Sequence, residues 1–574
     1  MHDIWPYIKP YARRMAFGMI IKFFGSIMDL LLPWILAYMI DYVVPIRSIE
    51  KILLWGGAMI ICSIIGVTGN IGANQMAAAV ARDIMRNVRH DLFAKVSYLS
   101  CAQIDKVTMP SLISRLSSDT YNLHRMLSMM QRMGVRAPIL LMGGILITLT
   151  LEPALTLVLV STLPFIILLV YTVSRKGFPL YTRLQESIDS MVRKVRENYA
   201  GIRIIKALSK VEYEKGRFAE INENVAASER KAAVTMAITN PIMNVLLNVG
   251  LTIVIIVGAY RVNAGLTQPG KILAFLTYFT IILNAMLSIT RMFVMYSRGN
   301  ASASRIGEIL TMKQDLIIQP SEPVESEHHI VFKDVSFSYQ KGQEATVEDI
   351  SFALKKGETL GIIGATGCGK STIVQLLMRL YDADSGSIRI NGEDVKSIPA
   401  ERLHTMFGIT FQNDVLFADT IAENISFGRS LKQEQIEFAA EAAQAAAFVA
   451  DINDGFGYQL TTKGTNLSGG QRQRLLISRA LAGNPEIIVL DDSSSALDYR
   501  TDANLRRAIQ ENFSDTTAII VAQRISSIMH ADHILVLEDG RILGAGKHDD
   551  LMQSCEIYQS IYQSQMGGGI DNAS

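Results

Sequence analysis

The run Leu360-Gly361-Ile362-Ile363-Gly364-Ala365-Thr366-Gly367-Cys368-Gly369-Lys370-Ser371 carries an apolar stretch into a glycine-rich loop that closes on Lys-Ser. Its second part has the form G-x-x-x-x-G-K-S, the Walker A phosphate loop, in the required place between a strand and a helix. Glycines let the backbone curl so that successive N–H groups point inward at a nucleotide's phosphates. Lys370 is then placed to reach the β- and γ-phosphates, and the Ser371 hydroxyl to ligate Mg2+. Thr372 to Leu380 read as a helix whose positive N-terminal end faces the anion. Position and pattern together predict a nucleoside triphosphate site and leave open what the nucleotide drives.

At 574 residues the chain is too long for one domain. Long apolar runs fill it up to about residue 295, and the mixed composition of an α/β domain follows from about 325. A net charge of +1 gives no whole-chain positive field, so no nucleic-acid partner is expected. Cys62, Cys101, Cys368 and Cys555 are scattered and form neither metal-ligand spacing nor a disulfide framework. Cys368, inside the phosphate loop, reads as a small residue at a permissive position rather than a redox switch. Lys9, Arg13 and Arg14 lead into an apolar segment too long for a signal core, so no cleavable leader is expected.

Six membrane spans are expected, at about 15–44, 52–80, 134–151, 153–174, 240–261 and 272–296. Each is near or above the length that crosses ~30 Å of hydrocarbon. Leu151-Glu152-Pro153 leaves room only for a tight hairpin, and Pro45 to Glu50 and Val262 to Gly270 are also short. The other connections, 81–133 and 175–239, are long, rich in Arg and Lys, and helical in period. Their charge places them in the cytoplasm with the amino terminus, as helices reaching tens of ångströms beyond the bilayer. Lys22, Asp29, Asn244, Asn248, Asn284 and Arg291 are polar residues within spans, candidates either for a pathway or for pairing between helices. Pro33, Pro164 and Pro241 are expected to kink their helices.

Gln319-Pro320-Ser321-Glu322-Pro323 opens a linker, giving an expected transmembrane domain at 1–318, a linker at 319–328 and a nucleotide-binding domain at 329–574. Ile330 to Phe332 and Val335 to Tyr339 read as two strands. Ile487-Ile488-Val489-Leu490-Asp491 is a buried strand ending in a carboxylate, a Walker B with Asp491 placed to hold Mg2+. Between the Walker motifs, Leu467-Ser468-Gly469-Gly470-Gln471 opens a helix. A serine hydroxyl, glycine N–H groups and a helix N-terminus together suit a γ-phosphate.

That last motif matches the signature sequence of ATP-binding cassette (ABC) proteins, and the resemblance covers nearly the whole chain. The fold it implies is an all-α six-helix ABC exporter transmembrane domain followed by an α/β P-loop cassette. Tyr339 resembles the aromatic that stacks on adenine, Gln412 the Q-loop, and Ser495-Ala496-Leu497-Asp498 the D-loop, while Gly546 to Leu551 looks like the family's terminal strand-turn element. The resemblance thus implies ATP and Mg2+ as ligands, held by Tyr339, Gly364 to Thr372, Ser468 to Gln471 and Asp498, with Ser371, Gln412 and Asp491 on the metal. Ile104-Asp105-Lys106, Ile113-Ser114-Arg115-Leu116 and Asp119 look like the first intracellular loop of ABC exporters. Glu197, Gly201, Ile205-Lys206-Ala207 and Arg217-Phe218 look like the second. Coupling helices are implied near 101–108 and 207–216. Six spans and one cassette make a half-transporter, so a second chain is implied.

Three residues leave the family pattern. Asp492 stands where a glutamate normally polarises the attacking water, and Gln523 where the switch histidine belongs. The aspartate is one methylene short, and the amide cannot carry an imidazolium charge. Thr462, just before the signature, replaces a frequent glutamate. Together Asp492 and Gln523 resemble the degenerate half of heterodimeric ABC exporters. The expectation is a cell-membrane, multi-pass subunit with amino terminus and cassette in the cytoplasm. It would move hydrophobic or amphipathic compounds outward with a second half-transporter chain. Alternatives are a homodimeric drug or lipid exporter with two slow sites, and a regulatory ATP-binding subunit that gates a partner.

Overall fold

The computed structural model describes residues 1–340, 342 and 344–566. They form two compact units, and the division does not follow chain order. The first holds Met1–Tyr98 and Pro110–Met312; the second holds Leu99–Met109 and Lys313 onward.

Among the described residues six helices of the first unit are long and apolar enough to cross a membrane. α1 (Ala12–Tyr38) packs along α2 (Ile49–Ser97), and in the second unit the short α3 (Cys101–Val107) follows. α4 (Thr120–Leu151) continues a helical path that begins at Met109. α5 (Pro153–Ala200), α6 (Ile202–Ala207), α7 (Val211–Ala237), α8 (Thr239–Asn263) and α9 (Pro269–Leu310) complete the unit. The expected apolar intervals lie inside much longer helices. The 49 residues of α2 extend ~70 Å, more than twice a hydrocarbon core. α9 packs on α4, and α5 on α7 and α8, around a core that includes Leu30, Tyr278, Phe279 and Ile282.

Local chemistry explains the breaks. Glu152 takes an extended conformation and Pro153 follows it as the first residue of α5, where a missing N–H costs nothing. Buried Glu152 is paired with Arg261 at 2.8 Å. Asp41 caps α9 from a distant part of the chain, its carboxylate accepting the Gly270 and Lys271 N–H groups at 2.6 and 3.1 Å. Pro33 and Pro164 fall inside helices, whereas Pro241 stands in the first turn of α8, where a proline interrupts no internal turn.

Of the two intervals expected to form short helices, one holds such a helix and the other does not. α3 spans Cys101–Val107, with a reciprocal cap between Ser100 and Gln103. The interval 207–216 instead straddles a break. α6 ends at Ala207, Ser209 turns to a left-handed φ of 53°, and α7 begins at Val211. Lys210 N–H closes the turn on the Ile205 carbonyl at 2.9 Å, as helix C-termini do when orphan carbonyls need donors.

The second unit carries ten strands among the described residues. β1 (Ile330–Phe337), β2 (Val347–Leu354), β4 (Ser385–Ile390) and β5 (Glu393–Asp394) form an antiparallel sheet in the order β2-β1-β4-β5. The two strands expected between Ile330 and Tyr339 are one. A bulge after Phe332 puts Asp334 at φ 52°, and Ser351 Oγ accepts its N–H at 2.8 Å. The second sheet runs β10-β9-β3-β8-β7-β6. Its strands are β3 (Thr359–Gly364), β6 (Phe407–Thr410), β7 (Ile487–Asp491), β8 (Thr517–Val521), β9 (His533–Glu538) and β10 (Arg541–Gly546). β7 is buried along its whole length, as a parallel strand covered on both faces must be. β10, the antiparallel edge, alternates in exposure.

Candidate nucleotide site

β3, β8 and β7 are parallel neighbours, and their carboxyl ends deliver the phosphate loop, Gln523, and Asp491 with Asp492 to one place. Gln412 arrives from the end of β6, the next strand over. Loops at the carboxyl end of a parallel sheet are where such folds bind ligands, because no strand continues there to fill the space.

A cavity of about 290 Å3 lies at this edge. It is lined by Thr366, Gly367, Gly369, Lys370, Ser371 and Thr372 from the loop and α10 (Lys370–Leu377), and by Tyr339. Gln412, Asp491, Asp492 and Gln523 line the opposing side. α10 is shorter than expected: Arg379 adopts φ 53°, beyond its last turn. Gly364, Ala365 and Cys368 are in the loop but not on the cavity wall, and Cys368 is buried. Gly369 has φ +96°, and a Cβ there would stand 2.6 Å from Val347 Cγ1 and 2.8 Å from the Thr346 carbonyl. Only glycine fits. Lys370 Nζ donates to the Gly364 and Ala365 carbonyls at 2.9 and 2.7 Å, which arches the loop over its own lysine.

Electrostatics at the carboxylates follow from burial. Asp491, 3 % exposed, has its carboxyl pushed above the usual carboxylate range by burial. The Ser371 hydroxyl and Lys370 oppose that rise, and neighbouring Asp492 adds to it. Asp492 is also raised, again by burial first, against Lys370, Gln523, Arg524 and Gln412. Gln523 Nε2 donates to Asp492 Oδ2 at 2.8 Å, so the two off-pattern residues hold each other. Asp492 sits at φ 50°, a left-handed turn directly after the strand.

The oxygen donors suit a hard divalent cation. Ser371, Gln412 and Asp491 share the cavity and offer a hydroxyl, an amide and one carboxylate. Among the described residues no three His, Cys, Asp or Glu side chains could cage a metal. Mg2+ bound mainly through substrate phosphates and water needs no such cage.

The signature and D-loop lie elsewhere in the unit. Ser468 caps α11 (Gly469–Leu481), accepting the Gln471 N–H at 3.3 Å while Gln471 Oε1 accepts the Ser468 N–H at 2.9 Å. Gly469 is exposed, with open space around its missing side chain, and Gly470 is half-buried. Asp498 caps α12 (Tyr499–Asn512) through the Thr501 N–H and hydroxyl at 2.9 and 2.8 Å. These bonds hold its carboxyl below the usual range. Neither the signature nor Asp498 lines the cavity of its own chain.

Sequence reasoning missed several participants. Thr346 lines the cavity but belongs to an undistinguished turn. Tyr381 stacks edge-on against Tyr339 with ring centroids 5.2 Å apart, and donates its hydroxyl to Asp105 of α3 at 2.6 Å. α3 is further tied to this unit by Ser100 on Asp315 and Gln103 on the Lys313 carbonyl, at 2.8 and 2.6 Å.

The sequence family described as ABC transporter transmembrane region matches residues 15–286, and the family described as ABC transporter matches 347–495. The chain is 34 % identical over 568 residues, 99 % of each chain, to the uncharacterized ABC transporter ATP-binding protein YfiB of Bacillus subtilis strain 168. It is 32 % identical over 571 residues, 97 % of each, to the uncharacterized ABC transporter ATP-binding protein Rv1273c of Mycobacterium tuberculosis strain H37Rv. In structure it resembles a bacterial Atm1-family ABC exporter with ATP bound, with a TM-score of 0.82 and 23 % identity, covering 98 % of this chain and 99 % of that one.

Proposed function

Because this chain belongs to the ABC transporters, as an exporter half-transporter coupling ATP hydrolysis to movement across a membrane, we propose that it is the degenerate-site subunit of a heterodimer. Its partner is a second half-transporter chain with glutamate and histidine at the positions of Asp492 and Gln523. The substrates are hydrophobic or amphipathic compounds expelled from the cytoplasm, and the chain resides in the cell membrane with its cassette on the cytoplasmic side.

The observation that carries this reading is the Gln523–Asp492 hydrogen bond inside the cavity. A carboxylate oxygen that accepts a hydrogen bond from a neutral amide is held back from an attacking water, and this carboxylate lacks a methylene of reach. Gln523 can donate to a γ-phosphate without adding charge. Tyr339 and the loop of Gly364 to Thr372 bind the nucleotide, and Mg2+ held by Ser371, Gln412 and Asp491 would neutralise phosphate charge. The exposed Ser468 and Gly469, with half-buried Gly470, complete the partner's site, since they stand away from this chain's own cavity.

ATP binding then draws the cassettes together, and α3, bonded to the cassette through Asp105 and Tyr381, passes that movement on. ATPase assays on the chain alone and co-expressed with a candidate partner test the assignment. Slow turnover alone and fast turnover together are expected; brisk turnover by the isolated chain overturns it.

A further inference from the structure

A cavity of about 520 Å3 in the first unit has a charge that the hydrophobic-substrate reading does not use. Lys22 of α1, Asn74 of α2, the His124–Leu140 part of α4 and the Ile281–Met295 part of α9 surround it. That volume is in the range of small-molecule sites. Lys22, His124, Arg125, Arg132 and Arg136 all line it, and no Asp or Glu does among the described residues. Met133, Leu140, Ile281 and Met295 supply an apolar wall.

The cations are not neutralised by one another's neighbours. Arg136 donates to Asp29 at 3.0 Å, and Asn70 donates to the same carboxylate at 3.2 Å. Among the described residues Lys22, Arg125 and Arg132 form no ion pair. Lys22 donates to the neutral Asn74 Oδ1 at 3.0 Å, Arg132 to the Ser128 carbonyl at 3.3 Å, and Arg125 lies over the Tyr121 ring at 5.7 Å. Lys22, Arg132 and Arg136 line the same cavity, and among the described residues only Arg136 of the three has a carboxylate partner, Asp29.

Cations near a helix end ordinarily reach out to lipid headgroups. Lys22 does the reverse: it is 2 % exposed and held inward by Asn74. A buried ammonium with only a neutral partner is costly, and its cost falls when an anion arrives.

We propose that this cavity binds an anionic amphiphile, a carboxylate- or phosphate-bearing compound with an apolar body, the anion meeting Lys22 and Arg132 and the body meeting the Met133–Leu140–Ile281 wall. This refines the export reading above and rests on it for the direction of movement, but not for binding.

The test uses the full chain, with its partner where the two co-purify, in phosphatidylcholine nanodiscs. The probes are dansylaminoundecanoic acid, its methyl ester, and the matching dansyl alkylamine. The carboxylate should bind roughly tenfold more tightly than the ester or the amine, the size of one charge-assisted bond. Arg132→Gln and Lys22→Gln should each remove most of that preference and leave ester binding unchanged, while Arg132→Lys should keep part of it. Monodisperse elution and an unchanged thermal melt of the detergent-solubilised chain check that each variant is folded, and exposed Arg132 is the safer substitution if Lys22→Gln fails that check.

Equal or tighter binding of the amine or ester overturns the proposal, as does an equal loss for all three probes in the folded Arg132→Gln variant. Displacement of the carboxylate by phosphatidylglycerol added to the discs identifies a lipid headgroup as the anion; its persistence identifies a small anion; both support the site. Lost charge preference with intact ATP-driven uptake into inverted vesicles defeats the anion site alone. Intact charge preference with no ATP-driven uptake of any compound defeats the export reading alone.

Discussion

Gln523 Nε2 and Asp492 Oδ2 meet at 2.8 Å across the ends of adjacent strands β8 and β7. The bond spends the one carboxylate that could orient water on a neutral amide. Replacing both residues, Asp492→Glu with Gln523→His, lengthens the acid and restores a group that can carry charge. In the purified chain the double variant is expected to raise ATP turnover at least about tenfold, and either single variant to give less. Unchanged steady-state phosphate release by a folded double variant would show that the pair is not what limits this site.

The phosphate loop makes a sharper distinction between charge and shape. Lys370→Ala removes the cation and its two bonds to the loop carbonyls but keeps the loop's glycines, so trinitrophenyl-ATP affinity should fall by roughly tenfold or more. Gly369→Ala keeps the lysine but forces a Cβ to within 2.6 Å of Val347 at a φ of +96°. It should lose binding at least as severely. If Gly369→Ala binds normally, the packing of the loop against Thr346 and Val347 is looser than the structure shows.

Asp491 provides a prediction with a definite pH sign. Burial raises its carboxyl in the folded chain, so the native state keeps a proton over a range in which the unfolded chain has lost it. Stability therefore falls as pH rises through that range, and the penalty is fully present at neutral pH. Asp491→Asn should raise the apparent melting temperature of nucleotide-free protein by about 2 °C at pH 7.5. The gain should shrink as the buffer is taken below pH 5, while the variant loses Mg2+-dependent ATP binding. Thermal scans across pH that show no gain at neutrality would mean the buried charge is already compensated.

Asp41 and Gly270 bind α1's end to the start of α9. A Cβ on Gly270 would come within 2.6 Å of both the Ala37 carbonyl and Asp41 Oδ1. Asp41→Ala should cost about 1 kcal/mol, the usual value of an N-terminal cap. Gly270→Ala should cost more, because two helices must separate to admit a methyl group. Detergent-solubilised protein followed by thermal melting gives the order; an inverted order would place the contact's value in the cap alone.

The phosphate loop, the carboxylate-ended strand and the apolar runs were all readable in the chain because each depends on residue type at short range. Helix bounds were less so. The span expected at 52–80 marks where α2 is apolar, but the helix continues to Ser97 because helical hydrogen bonds do not require lipid. The strand at Ile330–Phe337 looked like two since its bulge, settled by pairing with β2, interrupts the alternation at Lys333 and Asp334. Asp29 was legible as a charge within a membrane span, but Arg136, its partner from α4, was not singled out.

Motifs of consecutive residues, such as Gly364 to Ser371 or Ser468 to Gln471, were determined by sequence alone, because backbone geometry and cap chemistry act between near neighbours. Only the tertiary structure could bring Asp492 to Gln523, Asp105 to Tyr381, and Lys22 to Arg132 and Arg136. Those encounters arise from strand order and helix packing, where residues tens to hundreds of positions apart become neighbours and hydrogen bonds and charges act over a few ångströms.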